Sequence, residues 1–367
     1  MSDPRFFSIF PDGRWERLPT LEAALSACPP GGYNWLDYVD PSAEQLAALV
    51  APLNLHPLSL EDCLDEEQVP KIDDFPSNTF LLFNIYRYTE HHFAVEEVDF
   101  FLGKDFLVTV SGHGGRDGSF HQDIEARVRQ DLDTARKGPD FLLHTILDHT
   151  VDSKVASIEA LEDDIDLAEE AMLRDATAFR LADLLRLRRA LLTLRKSLFH
   201  EREILGKICR RDCPFVSEPA LYHFRDIYDH LTKFFELVEM NRDIVTSLTE
   251  VYLSLVNNQM AKVANETNLS VRRLTLITTI FMPLTLLAGI GGMSEWSMMT
   301  GPENWRIAYP AFLVAMLVIG IVNYYGLRRL ESTRTDLERR PARARRRRPA
   351  AAPGDNAAVA ARRRSSG

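Results

Sequence analysis

The chain changes its hydrophobic rhythm as it runs. Up to about residue 115 apolar residues come in short runs: "FFSIF", "YNWLDYV", "FLLFNIYRY", "VEEVDFFL" and "DFLVTVS". Runs of that length, rich in aromatic and β-branched residues, predict strands. Between them, "SAEQLAALVAPL", capped by Ser42, and "HPLSLEDCLD" predict short helices. From about Ser119 the apolar spacing turns to three and four. "PDFLLHTILDHTVDSKVASIEALEDDIDLAEEAML" starts at a proline and reads as one long helix, and "LADLLRLRRALLTLRKSLFHEREIL" reads as a second. A third pattern begins near Pro219 and meets neither proline nor glycine before Pro283. Strands first and helices afterwards predict an α+β domain followed by helices.

The rhythm then stops altogether. Leu274 to Gly292 and Ile307 to Leu327 are uninterrupted apolar stretches, each about the 20 residues needed to cross a hydrocarbon core. Arg272 and Arg273 precede the first, and Arg328 and Arg329 follow the second. The joining stretch 293–305 carries no Lys or Arg, so the positive-inside rule places both termini in the cytoplasm despite the discordant Arg306. Trp296, Trp305, Tyr324 and Tyr325 sit at interfacial positions. The expected organisation is an α/β domain with a helical hairpin over 1–218, a stalk helix over 219–273, and a first span over 274–292. An external loop over 293–306, a second span over 307–327 and a basic, disordered tail over 328–367 follow. An unbroken helix of roughly 70 residues from stalk into span would measure about 105 Å at 1.5 Å per residue.

Charge sharpens this picture. The net charge of −10 conceals a tail, Ser332 to Gly367, with eleven Arg against Asp336, Glu338 and Asp355, about +8; the remainder carries about −18. An acidic body attracts cations, and a basic tail meets anionic lipid headgroups. The N-terminus has no apolar stretch of signal-peptide length. Four cysteines are few, and only Cys209 and Cys213 lie close together, which predicts reduced, structural thiols. His144 and His149, five apart, do not share a helical face, and no metal site is assigned to them. The carboxylates Glu159, Glu162, Asp163, Asp166, Glu169 and Glu170 could hold hydrated divalent cations, although for any one of them a solvated helix face is the favoured reading. No Walker loop, nucleophile elbow or Cys-x-x-Cys pair appears, and no enzymatic activity is expected.

The first span is unusually polar for an anchor. It carries Thr275, Thr278, Thr279 and Thr285, with Pro283 in mid-run. On a helix, Asn268, Val271, Thr275, Thr278, Met282, Thr285 and Gly289 fall on one line, spaced three and four apart. Two readings are open. Threonine and glycine serve as packing residues between membrane helices; alternatively, copies of this helix line a pore with hydroxyl and carbonyl oxygens. Two spans cannot enclose a pathway, so the second reading requires an oligomer. A membrane-anchored sensor or scaffold would need no such stripe.

"RRLTLITTIFMPLTLLAGIGGM", together with "HPLSLEDCLDEEQVPKIDDFPSNTFLLF", "GKDFLVTV" and "EVYLSLVNN", resembles the CorA-type metal ion transporters over about residues 33 to 331. The resemblance implies a funnel-shaped homopentamer in the inner membrane, built from an α+β cytoplasmic domain, a long stalk helix and two transmembrane helices. It implies transport of Mg2+, with Co2+ or Ni2+ as companions, and closure by cytosolic Mg2+ acting as regulatory ligand. The expected partners are further copies of the chain, membrane lipids and divalent cations, with no nucleic acid. Pore-lining positions carried over from the family are Asn268, Val271, Leu274, Thr278, Met282, Thr285 and Gly289, with Leu274 in place of Thr275. The family closes this span with Gly-Met-Asn; here Gly292, Met293 and Ser294 stand there, with Glu295 following, as the external filter. That departure leaves zinc transport, as in another branch of the family, as the alternative. Tight zinc sites favour Cys and His, and neither span contains one, which favours Mg2+.

Overall fold

The computed structural model describes residues 4–26, 30–65, 68–89, 91–112, 119–291, 301 and 303–346. They form two compact units, Met1–Asn257 and Asn258–Gly367.

In the first unit the apolar runs become a seven-stranded sheet: β1 (Arg5–Ile9), β2 (Trp15–Leu18), β3 (Tyr33–Val39), β4 (Ile72–Asp74), β5 (Asn78–Thr89), β6 (His92–Gly103) and β7 (Phe106–Ser111). The spatial order is β2-β1-β3-β7-β6-β5-β4. Only β3 and β7 pair in parallel; the other neighbours are antiparallel. Helices cover both faces, so the central strands are apolar on both sides and read as continuous runs rather than alternations. Phe80, Leu82, Phe101 and Val108 pack under α1 (Leu21–Ser26), α2 (Ala43–Leu53) and α3 (Pro57–Asp62). Leu81, Phe83, Phe100 and Leu107 face the opposite layer. That layer comprises α4 (Ser119–Gln130), α5 (Leu132–Ala135), α6 (Pro139–Arg174), α7 (Leu181–Cys209) and the first part of α8 (Leu221–Gly291). Ser42 caps α2 as expected. Its hydroxyl accepts from the Gln45 amide while the Gln45 side chain accepts from the Ser42 amide.

α8 starts at Leu221 and runs unbroken for 71 residues through the stretch expected as stalk and first span. Its first half is not a free stalk, however. Phe224, Ile227, Leu231, Val238, Val245 and Leu248 are buried at three-, four- and seven-residue intervals in the same core as α6 and α7. The compact unit therefore reaches Asn257, well beyond the expected boundary at 218.

In the second unit the remainder of α8 lies beside α9 (Trp305–Arg346). Helices including Leu221–Ile290 and Arg306–Gly326 are long and apolar enough to cross a membrane, and their apolar windows are unburied within the chain. The tail expected to be irregular from residue 328 is helical as far as Arg346. Arg, Glu, Leu and Ala dominate it, and all are strong helix formers.

Candidate functional site

At 3.6 residues per turn, side chains on α8 can be placed by angle. Within the span, Leu276, Ile280, Pro283, Leu284 and Leu287 are half-buried and share one face. On α9 the half-buried residues are Ala308, Phe312, Met316, Gly320 and Asn323, again three and four apart. These two faces meet: a Cβ on Gly320 would sit 3.6 Å from Leu284 Cδ1. The absence of a side chain at Gly320 lets α9 approach α8.

The polar stripe lies elsewhere. Val271, Thr278, Met282, Thr285 and Gly289 are exposed in the single chain, and they centre about 180° around α8 from the face that meets α9. Leu274 and Thr275 flank that line on its two sides, and both are exposed. Asn268, one turn before the span, is exposed as well. Among the described residues nothing lies within 4 Å of where a Cβ on Gly289 would stand, so none of them requires glycine there. Packing against α9 therefore does not explain the stripe.

The threonine hydroxyls are uniformly oriented. Thr275 donates to the Val271 carbonyl at 2.9 Å and Thr278 to Leu274 at 2.9 Å; Thr279 donates to Thr275 at 2.8 Å and Thr285 to Phe281 at 2.8 Å. Each hydroxyl proton is thereby committed to the helix. What Thr278 and Thr285 present outward is an oxygen with free lone pairs, an acceptor and not a donor. Such oxygens can accept hydrogen bonds from water. The expected filter residues Gly292, Met293, Ser294 and Glu295 lie outside the described residues, as does Trp296.

The other candidates resolve differently. The carboxylates of α6 do not converge: Glu162 accepts from Asn241 Nδ2 at 2.8 Å, Glu170 pairs with Arg174 at 2.7 Å, and Glu159, Asp163 and Asp166 are exposed. Among the described residues no three His, Cys, Asp or Glu side chains are grouped to hold a metal ion within one chain. Among the described residues Cys63, Cys209 and Cys213 take part in no disulfide. His144 and His149 do not come together; His144 instead meets His223 of α8. Two buried polar groups escaped the sequence reading. One is the Lys154–Glu201 ion pair beneath β5, the other the carboxyl of Asp99 on β6. Neither has a local signature, because most of the groups around them lie far away in sequence.

The family described as CorA-like Mg2+ transporter protein matches residues 30–329. The chain belongs to that family. A cobalt/magnesium transport protein CorA of Thermotoga maritima is 34% identical over 272 residues, covering 73% of this chain and 74% of its own. A second, from Methanocaldococcus jannaschii, is 24% identical over 287 residues, 77% of this chain and 87% of its own. The fold agrees with the complete structure of the CorA magnesium transporter from Methanocaldococcus jannaschii, with a TM-score of 0.64 at 22% identity. The match covers 90% of this chain and 99% of that one. The CorA-like resemblance read from the IFMPLT segment and the cytoplasmic motifs is therefore correct, as is the α+β domain followed by a long helix and a second apolar helix.

Proposed function

We propose that the chain is one subunit of a homo-oligomeric, CorA-like channel that passes hydrated divalent cations, Mg2+ foremost and Co2+ or Ni2+ with it. The observation that carries this reading is the stripe on α8. It is exposed, turned away from α9, and offers oxygens whose own protons are already committed to the backbone. A helix that only tethered a soluble domain would have no use for it. Copies of α8 arranged around an axis, five by analogy with the family, would stack Thr278 and Thr285 as two rings of acceptors with Met282 narrowing the passage between them. Val271 and Leu274 would form an apolar constriction below.

Mg2+ gives up its waters reluctantly. A pathway of hydroxyl acceptors can hold the hydration shell without stripping it, and it binds weakly enough to release the ion. The absence of Cys and His from both spans favours Mg2+ over Zn2+ on the same grounds. The basic residues flanking the spans favour both termini in the cytoplasm of a cell bounded by this membrane. The excess of acid outside the tail favours closure by cytosolic divalent cations bridging neighbouring subunits.

The test is uptake into proteoliposomes of Mg2+, Co2+, Ni2+ and Zn2+ by the parent and by Thr285→Val. Valine keeps the volume and the apolar character while deleting the oxygen. Uptake should fall by about ten- to a hundredfold, the loss of a charge-assisted hydrogen bond of about 1.5–3 kcal/mol, with the oligomer intact on size exclusion. A Thr278→Val, Thr285→Val double variant that conducts like the parent would refute the pathway.

A further inference from the structure

In the first unit two imidazoles meet where α6 packs on α8. His144 of α6 is 9% exposed, and its Nδ1 is buried without a hydrogen-bond partner. His223, in the first turn of α8, is half-buried, and its ring stands 4.9 Å from that of His144 between centroids, tilted by 59°. Phe141 and Phe224 wall the pair, the first 5.6 Å from His223 and the second 5.8 Å from His144. Asp131 and Asp226 stand close enough to act on His144 electrostatically. A buried ring nitrogen left without a partner in a native core asks for an explanation.

The ring spacing offers one. A divalent transition metal sits about 2.0–2.1 Å from an imidazole nitrogen, hence about 3.2 Å from the ring centre. Two rings bound in adjacent positions, about 90–109° apart, then have centroids about 4.5–5.3 Å from each other. The observed separation lies within that interval. Among the described residues no donor or acceptor competes for His144 Nδ1 where it lies buried between the helices. The two carboxylates add negative charge without needing to ligate.

We propose that His144 and His223 together bind one borderline divalent cation, Co2+, Ni2+ or Zn2+, with water completing its shell. Imidazole suits these ions, whereas Mg2+ takes oxygen ligands. With no third protein ligand grouped among the described residues, the site is weak and reversible. Such an ion ties α6 to α8 and makes their packing respond to transition metal in a way that Mg2+ cannot reproduce. The inference uses none of the pore residues, so it stands or falls separately from the proposed transport.

Full-length protein in detergent is titrated with CoCl2 in a large excess of MgCl2, and the visible d–d absorption of Co2+ is followed. The parent should show a saturable, intensified and shifted spectrum as nitrogen replaces oxygen. His144→Phe and His223→Phe keep a ring of similar size, and each should weaken this response by more than about tenfold, since even outer-shell losses at metal sites cost that much. His149→Phe and His230→Phe should respond like the parent. X-ray absorption of the Co2+-loaded parent should show two imidazole ligands, which tests the site even where a variant fails to fold. No saturable change in the parent, an unchanged response in both Phe variants, or an all-oxygen shell would each overturn the proposal. So would loss of the response on replacing His230 with retention on replacing His144.

Discussion

Asp99 is fully buried on β6, and neither of its oxygens has an N–H or O–H donor. Its neighbours are the Cys63 thiol and the charges of Glu97 and Asp62, with Lys71 opposing them. Burial first, and then Glu97, pushes the Asp99 carboxyl well above the usual carboxylate range. Glu97, two residues back along the strand, is pushed up to about 7, again chiefly by burial. The folded protein therefore holds protons here that the unfolded chain releases near pH 4. At lower pH both states are protonated and this part of the stability is fully present. As pH rises from about 4 through 7 the folded state binds more protons than the unfolded one, and stability is lost. Asn at position 99 cannot ionise. The melting temperature of Asp99→Asn should fall less than the parent's between about pH 5 and pH 8, so that the variant gains relative to the parent at the higher pH. Parallel pH profiles for the two proteins would show that Asp99 does not hold that proton.

At the scale of elements, one buried ion pair joins three pieces of chain distant in sequence. Lys154 Nζ on α6 donates to Glu201 Oε1 on α7 at 2.8 Å and to the Asn84 carbonyl on β5 at 2.5 Å. The Asn84 amide donates to the same glutamate oxygen at 3.1 Å, and the ammonium lies 4.3 Å from the centre of the Tyr86 ring. Both charged side chains are 0% exposed. Removing one alone strands the other. Lys154→Met should cost about 3–5 kcal/mol in denaturant unfolding, and adding Glu201→Leu should recover most of it. If the double variant proves no more stable than the single, the cost lies in packing and not in the stranded carboxylate. This pin was illegible in the sequence, because a lone lysine in an amphipathic helix reads as solvent-facing and its partners are set by tertiary packing. The long elements were legible for the opposite reason. Strands buried on both faces appear as apolar runs, and α8 announces itself by the lack of proline and glycine between Leu221 and Met282. The elements β2, α1 and β4, of four, six and three residues, are too short for any period to register. The Thr–Met–Thr–Gly line was also legible, since helical spacing alone assembles it. Its outward direction was not, because that depends on which face α9 takes.

The assembly itself can be interrogated through three glycines, because the single chain treats them differently. At Gly320 a Cβ already meets Leu284 at 3.6 Å, so a large side chain there must push α9 away from α8. At Gly289 and Gly326 none of the described residues lies within 4 Å of where a Cβ would stand, which leaves space for a larger side chain at either. Leucine is also a better helix former than glycine, so neither replacement should harm an isolated subunit. The two sites part company only if subunits gather with the stripe of α8 turned inward. Gly289→Leu would then crowd the axis with one bulky side chain from every subunit, whereas Gly326→Leu, away from the stripe, would not. The expected outcome is that Gly289→Leu folds and reaches the membrane like the parent but loses most divalent-cation uptake in proteoliposomes. Gly326→Leu should conduct normally, and Gly320→Leu should lower the melting temperature before any effect on transport can be read. Normal uptake by Gly289→Leu would place this face of α8 against lipid and end the pore assignment, whatever the family membership of the chain.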